Sequence, residues 1–509
     1  MQFYPRAREN RILPTHLSFR VPRRALLRAA TINLVFLQLL FLGLFCYIYG
    51  AIFEQTPRIK SFNVLYVDYD GGPIGASVRD AYKSLQANSF PTLIERSPSE
   101  FAAPFDLRRE VCKTHYWAAV YTVPGASDRL QTALAGHSTA YNKSDVLAYI
   151  WNEARYATTI DSAISANIQT LSSTARVRYT SSNWTETVPR PTIETFSVLS
   201  NPWQLNSINI QPTVQGGRLI YNTLVIVLVL IQEFFYLGTL NGLYENFKIY
   251  ARIKPHRIII MRTILSAAYT FIGSLCVAGT IWAFRAGWGV DTGQFFLCWA
   301  VLWLFAHTNF LTLDVFTTWL PHPYVPMALI SWVVINVTSI LVPFELSPGF
   351  YRWAYLLPAH EVYQVLIDIW SRGCDPVLHR ALPILLALEI SGLVLNALGT
   401  YRRCHYATIK QEMEQKAMTL RVDEALALER EHDGRMRGEK DTDAITVPLG
   451  EHVTAPDDNE KEDREKAEAG INQADVGLQR LRSRTGFDVQ FGPAFGFDFG
   501  KPLDSSQTR

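Results

Sequence analysis

The sequence lacks the short motifs by which most enzymes hold phosphates, metals or acyl groups. It contains no Gly-x-x-x-x-Gly-Lys-Ser/Thr loop, and its single Gly-Lys pair, Gly500 and Lys501, is followed by Pro502. It also contains no Gly-x-Ser-x-Gly, no His-Glu-x-x-His and no zinc-type Cys/His spacing. We therefore expect no catalytic residues, no metal, no cofactor and no ATPase in this chain, and a membrane-bound hydrolase is the least favoured function.

Long apolar runs are scarce between residues 54 and 218 but frequent in the rest of the first 400 residues. Six runs occur, at 31–53, 219–241, 259–284, 294–316, 325–344 and 377–400. A helix of about 20 apolar residues crosses the hydrocarbon core of a bilayer. The pattern predicts a polytopic α-helical membrane protein with about six transmembrane helices, in which 219–400 is a five-helix membrane domain.

The basic residues predict the orientation of these spans. Lys and Arg beside a span favour the cytoplasmic side. We therefore expect residues 1–30 and 401–509 in the cytoplasm, the latter helical at first and disordered from about residue 431, and residues 54–218 outside. Arginines dominate the N-terminal flank, and the loop after the second span is also basic: Arg6, Arg8, Arg11, Arg20, Arg23, Arg24, Arg28; Lys248, Arg252, Lys254, Arg257.

The segment 54–218 alternates strand and helix patterns, which predicts a mixed α/β extracytoplasmic domain between the first and second transmembrane helices. We expect strands at 62–69, 116–123, 176–179 and 192–198, and helices at 76–85, from 126 and over 144–172. Asp68 and Asp70 border a Gly-rich turn. They are a candidate carboxylate pair for a metal or for acid–base chemistry, although a strand ending in an Asp-Gly turn is the favoured explanation.

Cysteines and glycosylation sequons give two further expectations for the outer side. Of six cysteines, only Cys112 and Cys374 face the oxidising side in this topology. A disulfide between them would join the outer domain to the last outer loop, and two separately buried thiols are the alternative. Asn142 and Asn183 begin Asn-x-Ser/Thr sequons in the same domain and are candidate glycosylation sites.

Ionisable side chains interrupt several of the predicted spans. Glu233, His307, Asp314 and Glu389 lie within apolar runs, where a charge is costly unless it faces protein or water. One interpretation is a polar substrate path between helices. The other is hydrogen bonding that only holds the bundle together.

The segment 345–376 is aromatic and amphipathic, and Pro348 and Pro358 interrupt it. It is too polar and too broken to span a bilayer, and Tyr and Trp favour the headgroup level. We predict two short interfacial or re-entrant helices on the outer side. Tyr351, Trp353 and His360, with the two prolines, are the candidate outer gate or interface residues.

The run Ser-Pro-Gly-Phe-Tyr-Arg-Trp at 347–353, followed by Leu-Pro-Ala-His at 357–360, resembles the fungal nitrosoguanidine-resistance protein family of the DUF3533 type. Residues 67–75, 123–127 and 152–155 extend the resemblance into the outer domain. The family is itself similar to the membrane subunits of ABC-2-type exporters. The resemblance implies a fungal membrane glycoprotein linked to resistance to toxic compounds, and it supplies no catalytic residues.

The leading hypothesis is a transporter-like protein that exports or excludes toxic small molecules or lipids. Its expected partners are the lipid bilayer, a small hydrophobic toxicant or lipid, and either a separate ATPase chain or a second copy of itself; no nucleic acid is expected. The plasma membrane is the favoured location and an internal secretory membrane the alternative. The competing hypothesis is a non-transporting organiser or receptor whose outer domain binds a ligand or partner.

Overall fold

The computed structural model describes residues 20–137, 141–183, 192–213, 224–285, 289–321 and 324–443. Contacts divide the chain into two compact units. The first unit comprises Met1–Val227, Ile281–Cys298 and Ile330–Leu382. The second comprises Leu228–Thr280, Trp299–Leu329 and Pro383–Arg509.

The described chain starts with a long helix, α1 (Arg20–Ala51), and continues into a sheet with helices. A short 3-10 helix, Thr56–Ser61, precedes the first strand, and a π-helical turn, Asp161–Ser165, precedes the sixth helix. The elements in chain order are β1 (Asn63–Asp68), α2 (Pro73–Leu85), β2 (Thr92–Arg96), α3 (Pro104–Cys112), β3 (Ala118–Thr122), α4 (Ala126–Leu134), β4 (Leu147–Trp151), α5 (Ala157–Ile160), α6 (Ala166–Asn183), α7 (Ile193–Ser200) and β5 (Asn206–Asn209).

The five strands form one sheet in the order β2-β1-β3-β4-β5. β1 pairs in parallel with β2 and β3, β4 is antiparallel to β3, and β5 is parallel to β4. The central strands β3 and β4 are buried along their whole length, and β1 is buried after Asn63. Strands covered on both faces require apolar residues throughout rather than an alternating pattern, which explains the continuous runs at 64–67 and 147–151.

The sequence predicts some of these elements and misplaces others. β1, β3, α2 and α4 lie where strands and helices are expected. The predicted helix over 144–172 is wrong, because residues 147–151 form β4 and the helical part begins only at Ala157. The predicted strands at 176–179 and 192–198 are also wrong, because these residues lie in α6 and α7.

Seven α-helices follow the sheet within the described residues. They are α8 (Val225–Asn246), α9 (Ile249–Arg252), α10 (Pro255–Ala283), α11 (Thr292–Trp319), α12 (Val325–Leu341), α13 (Pro358–Trp370) and α14 (Leu378–Asp443). Within the described residues, five helices are long and apolar enough to cross a membrane: α1, α8, α10, α11 and α14. The chain is thus a multi-pass helical membrane protein.

The predicted span 325–344 corresponds to α12, which is shorter than the other five. Its 17 residues give about 26 Å of helix, against a hydrocarbon core of about 30 Å. Length and composition therefore support five of the six predicted spans.

The predicted interfacial segment contains a 3-10 helix, Gly349–Leu356, and α13. Each element starts directly at or after a proline, because Pro348 precedes the first and Pro358 is the first residue of α13. Almost all of α13 is buried.

Helix α14 is much longer than a span. Its 66 residues correspond to roughly 100 Å at 1.5 Å per residue. The helix continues to Asp443, past the predicted start of disorder at residue 431. The rest of the predicted disordered tail, 444–509, and residues 1–19 of the predicted N-terminal segment lie outside the described residues.

Candidate functional site

The four ionisable residues predicted within spans all belong to the second unit. Glu233 is on α8, His307 and Asp314 are on α11, and Glu389 is on α14. Asp314 is 1% exposed, Glu233 2% and His307 8%. Such groups, buried among apolar helices, need protein partners.

Asp314 is held by two arginines from different helices. Arg262 of α10 donates from Nε and Nη2 to the two carboxylate oxygens of Asp314, at 3.0 and 2.7 Å. Arg403 of α14 donates from Nη2 to Oδ1 of Asp314 at 2.7 Å. Both arginines are themselves buried. The cluster therefore carries one more positive than negative charge.

Neutral groups complete this ion cluster. The side-chain amide oxygen Oδ1 of Asn241 accepts from Arg262 Nη2 at 2.6 Å. The Tyr250 hydroxyl accepts from Arg262 at 3.0 Å and from Arg403 at 3.1 Å. Thr317 Oγ1 accepts from Arg403 Nη2 at 2.8 Å. Of the predicted residues the cluster contains only Asp314. Sequence reasoning missed Arg262, although a charge inside the run 259–284 was a signal that could have found it.

A second polar chain crosses α10, α11 and α14. Ser266 Oγ lies 3.1 Å from His307 Nε2. His307 Nδ1 is in short contact with Glu389 Oε1. Thr308 Oγ1 donates to Glu389 Oε2 at 2.8 Å. The structure thus brings two predicted residues, His307 and Glu389, together and adds Ser266 and Thr308, which the sequence analysis did not single out.

Glu233 is not part of either cluster. Its Oε2 has no hydrogen-bond partner among the described residues. The preceding Gln232 packs its amide against Gly273 of α10, where a Cβ would clash with it. Glu233 is therefore a buried carboxyl group of the second unit that has one oxygen free for a ligand or a proton.

The predicted outer gate residues lie in the first unit and differ in exposure. The Tyr351 hydroxyl donates to the carbonyl of Tyr47 at 2.7 Å, which ties the 3-10 helix to the end of α1. Trp353 is exposed by 42%, whereas Pro358 and His360 are buried. Burial lowers the pKa of His360 to about 4. His360 is therefore an interior residue, and Pro348 is the N-cap residue of the 3-10 helix.

Three carboxyls, two of them buried, lie on α13 or shortly after it. Glu361 on α13 is paired with Arg380 at 3.5 Å, and Asp375 has no hydrogen-bond partner for either carboxylate oxygen among the described residues. Burial raises the pKa of Asp375 to about 6; the Arg155 guanidinium opposes the rise, and the Asp368 carboxyl adds to it. Burial also raises the pKa values of Glu361 and Asp368.

The Asp68 and Asp70 pair has a structural role. The two side chains lie at the carboxyl ends of the parallel strands β1 and β3, the position where open α/β sheets commonly bind ligands. Here protein groups fill it: Thr122 Oγ1 and Arg79 Nη2 donate to Asp68 at 2.6 and 2.7 Å. The backbone N–H and the hydroxyl of Ser127 donate to Asp70. Asp70 therefore satisfies the start of α4, and Asp68 Oδ1 accepts from the Gly71 N–H at 3.0 Å, as expected where a strand ends in an Asp-Gly turn.

The remaining predicted sites lie in the first unit. Cys112 and Cys374 form a disulfide. Asn142 is exposed, and its Oδ1 accepts from the Ser144 N–H at 3.0 Å. Asn183 is the last residue of α6, and the rest of its sequon lies outside the described residues.

No three His, Cys, Asp or Glu side chains are grouped to hold a metal ion in the part of the chain that the structure describes.

Residues 33–394 match the family described as "Protein of unknown function (DUF3533)", which is more than half of the 509 residues. No solved structure matches the chain.

Proposed function

The chain belongs to the DUF3533 family, and on that premise we propose that it is a transporter-like membrane protein that exports or excludes toxic small molecules or lipids. One observation carries the proposal: charged and titratable side chains from α10, α11 and α14 meet inside helices that are apolar enough to cross a membrane. Burying such groups is costly, and in membrane proteins they commonly mark pathways for substrates or ions.

We propose six spans, with α12 as the fifth, both termini in the cytoplasm and residues 54–218 outside. The disulfide between Cys112 and Cys374 supports this count. Cysteines that pair after insertion lie on one side of the membrane, so an even number of crossings separates them. α8, α10 and α11 supply three crossings, and α12 supplies the fourth. Local thinning of the bilayer accommodates a helix of this length at modest cost.

We further propose that the substrates are those implied by the resemblance to fungal nitrosoguanidine-resistance proteins and to ABC-2-type exporter subunits, and that the protein acts in the plasma membrane. Asn142 and Asn183 would be glycosylated on the outer side. Because the chain has no P-loop, ATP-driven export would require a separate ATPase chain.

The test is transport by the purified full chain in liposomes, with radiolabelled nitrosoguanidine and a fluorescent phospholipid as probes. We expect protein-dependent movement of at least one probe. Glu233→Gln should slow it by about tenfold, equivalent to about 1.4 kcal/mol in the barrier. The control is Glu245→Gln, which removes a half-exposed carboxyl paired with Lys410. Folded wild-type protein that moves neither probe would contradict the proposal.

The competing proposal is a non-transporting organiser or receptor, and the length of α14 favours it, because the helix extends far beyond one span. This alternative predicts that Glu233→Gln and Glu389→Gln leave cellular resistance intact while deletion of residues 429–509 abolishes it. The transporter proposal predicts loss of resistance in the two Gln variants.

A further inference from the structure

The contact between His307 and Glu389 requires a proton. Nδ1 of a neutral imidazole and an oxygen of a carboxylate are both acceptors when neither carries hydrogen. Their short approach is therefore stable only while one proton lies between them. Because His307 is on α11 and Glu389 on α14, this proton joins two helices of the second unit.

The hydrogen bonds around the other ring nitrogen favour one protonation state. The Ser266 hydroxyl donates to the carbonyl of Thr263, one turn earlier on α10, at 3.0 Å. Since a hydroxyl has one hydrogen, the Ser266 oxygen then accepts from His307 Nε2. With Nε2 protonated, the proton shared with Glu389 makes the pair electrically neutral. Its departure leaves one negative charge.

The surroundings can balance that charge. The ion cluster of Arg262 on α10, Asp314 on α11 and Arg403 on α14 belongs to the same unit as the pair, as does Glu233 on α8. The two arginines and Asp314 sum to one positive charge. Arg262 lies one helical turn, about 6 Å, from Ser266. The charges of the ion cluster and of the deprotonated pair therefore sum to zero.

The helices that the proton joins pack closely through glycines. A Cβ on Gly392 of α14 would lie 2.9 Å from Leu311 Cβ of α11, and a Cβ on Gly399 would lie 2.8 Å from Thr318 Cγ2. Small residues let helix backbones approach without interlocking side chains. Loss of the shared proton would turn an attraction into a repulsion between two acceptors at this interface.

The order Ser266, His307, Glu389 also matches that of an acyl-transfer triad. Two features speak against that role. The Ser266 hydroxyl is engaged with the Thr263 carbonyl, and Ser266 lies in the interior of α10, where backbone N–H groups are bonded within the helix and cannot form an oxyanion hole.

We infer that His307 and Glu389 bind and release one proton in each transport cycle, so that a proton gradient drives the export. This inference rests on the proposed function. In the release step the bond between the shared proton and Nδ1 or Oε1 breaks, the electron pair stays on that atom, and water on the low-proton side accepts the proton. Opening of α11 from α14 accompanies release.

The experiment uses the full chain in liposomes of phosphatidylcholine and phosphatidylglycerol, with radiolabelled nitrosoguanidine as the probe. One measurement is accumulation driven by an acidic lumen, with and without a protonophore. The other is counterflow exchange without a gradient. Glu389→Gln replaces the titratable group with an amide that donates to His307 Nδ1, so we expect it to lose gradient-driven accumulation while its size-exclusion profile in detergent stays that of the folded wild type. Glu245→Gln should retain both.

Each outcome separates the two proposals. Counterflow by the wild type without any response to the pH gradient, or unchanged accumulation by Glu389→Gln, would overturn proton coupling and leave the transporter proposal standing. Absence of counterflow in the wild type would overturn transport of this probe and the coupling with it. Lipid hydrolysis that disappears in Ser266→Ala would replace proton coupling with acyl transfer.

Discussion

At the residue scale, single buried carboxyls make the stability of the protein depend on pH. Outside the membrane helices, Asp375 is an example. Burial raises its pKa to about 6, so the folded chain holds a proton that the unfolded chain has released at the same pH. Its contribution to the free energy of unfolding is therefore fully present below about pH 4 and is lost as the pH rises through about 6. Raising the pKa of Asp375 from its ordinary value to about 6 changes the free energy of unfolding by at most about 3 kcal/mol.

We predict that Asp375→Asn raises the apparent melting temperature of the detergent-solubilised full chain at neutral pH and flattens its dependence between about pH 4 and pH 7. The amide stays neutral across that range, so the charge is never buried. The matched control is Asp80→Asn, which changes an exposed carboxyl paired with Lys83 and should have little effect. A wild-type melting temperature that rises with pH in this window would show that the sign is wrong.

Sequence predicts ionisable residues within the membrane helices but not their partners. Glu233, His307, Asp314 and Glu389 stand out because charge is rare in apolar runs. The pairing of His307 with Glu389 depends on how α11 packs against α14, which no local pattern encodes. Arg403 shows the same limit: it lies where basic residues flank a span, yet its side chain is buried against Asp314.

At the scale of elements, local pattern identifies β1 and β3 as strands and α2 and α4 as helices. It fails where propensity and tertiary context disagree. Residues 147–151 form β4 because the sheet offers an edge beside β3, whereas the sequence around them suggests a helix. Residues 193–200 are helical because Thr192 caps α7, its Oγ1 accepting from the Thr195 N–H at 3.1 Å.

The end of α1 packs against the 3-10 helix at one glycine, which gives a prediction at this scale. A Cβ at Gly50 would lie 2.5 Å from the Tyr351 hydroxyl, whereas a Cβ at Gly43 on the same helix would meet nothing within 4 Å. We expect Gly50→Val to destabilise the full chain by about 1–3 kcal/mol through overpacking. Gly43→Val is the matched control with the same change in helix propensity. Equal melting temperatures for the two variants would contradict the close packing.

At the scale of the whole molecule, the disulfide constrains whether the number of membrane crossings between its two cysteines is even or odd. Length alone leaves α12 undecided, because its 17 residues fall short of a typical span. The bond between Cys112 and Cys374 requires an even number of crossings between them. Among the described residues three long apolar helices lie in that interval, and the proposal that α12 also crosses makes the number even.

The proposed six-span topology predicts on which side of the membrane the α11–α12 loop lies. A flexible linker carrying a glycosylation acceptor, inserted after Leu320, should remain unmodified in a eukaryotic host, because four crossings place that loop in the cytoplasm. The same insert after Glu100, in the exposed turn between β2 and α3, should be glycosylated, and Asn142→Gln should remove a native glycan. If α12 does not cross while Cys112 and Cys374 remain bonded in non-reducing mass mapping, the loop lies on the same side as Cys374. The insert after Leu320 would then carry a glycan, and the six-span topology would be wrong.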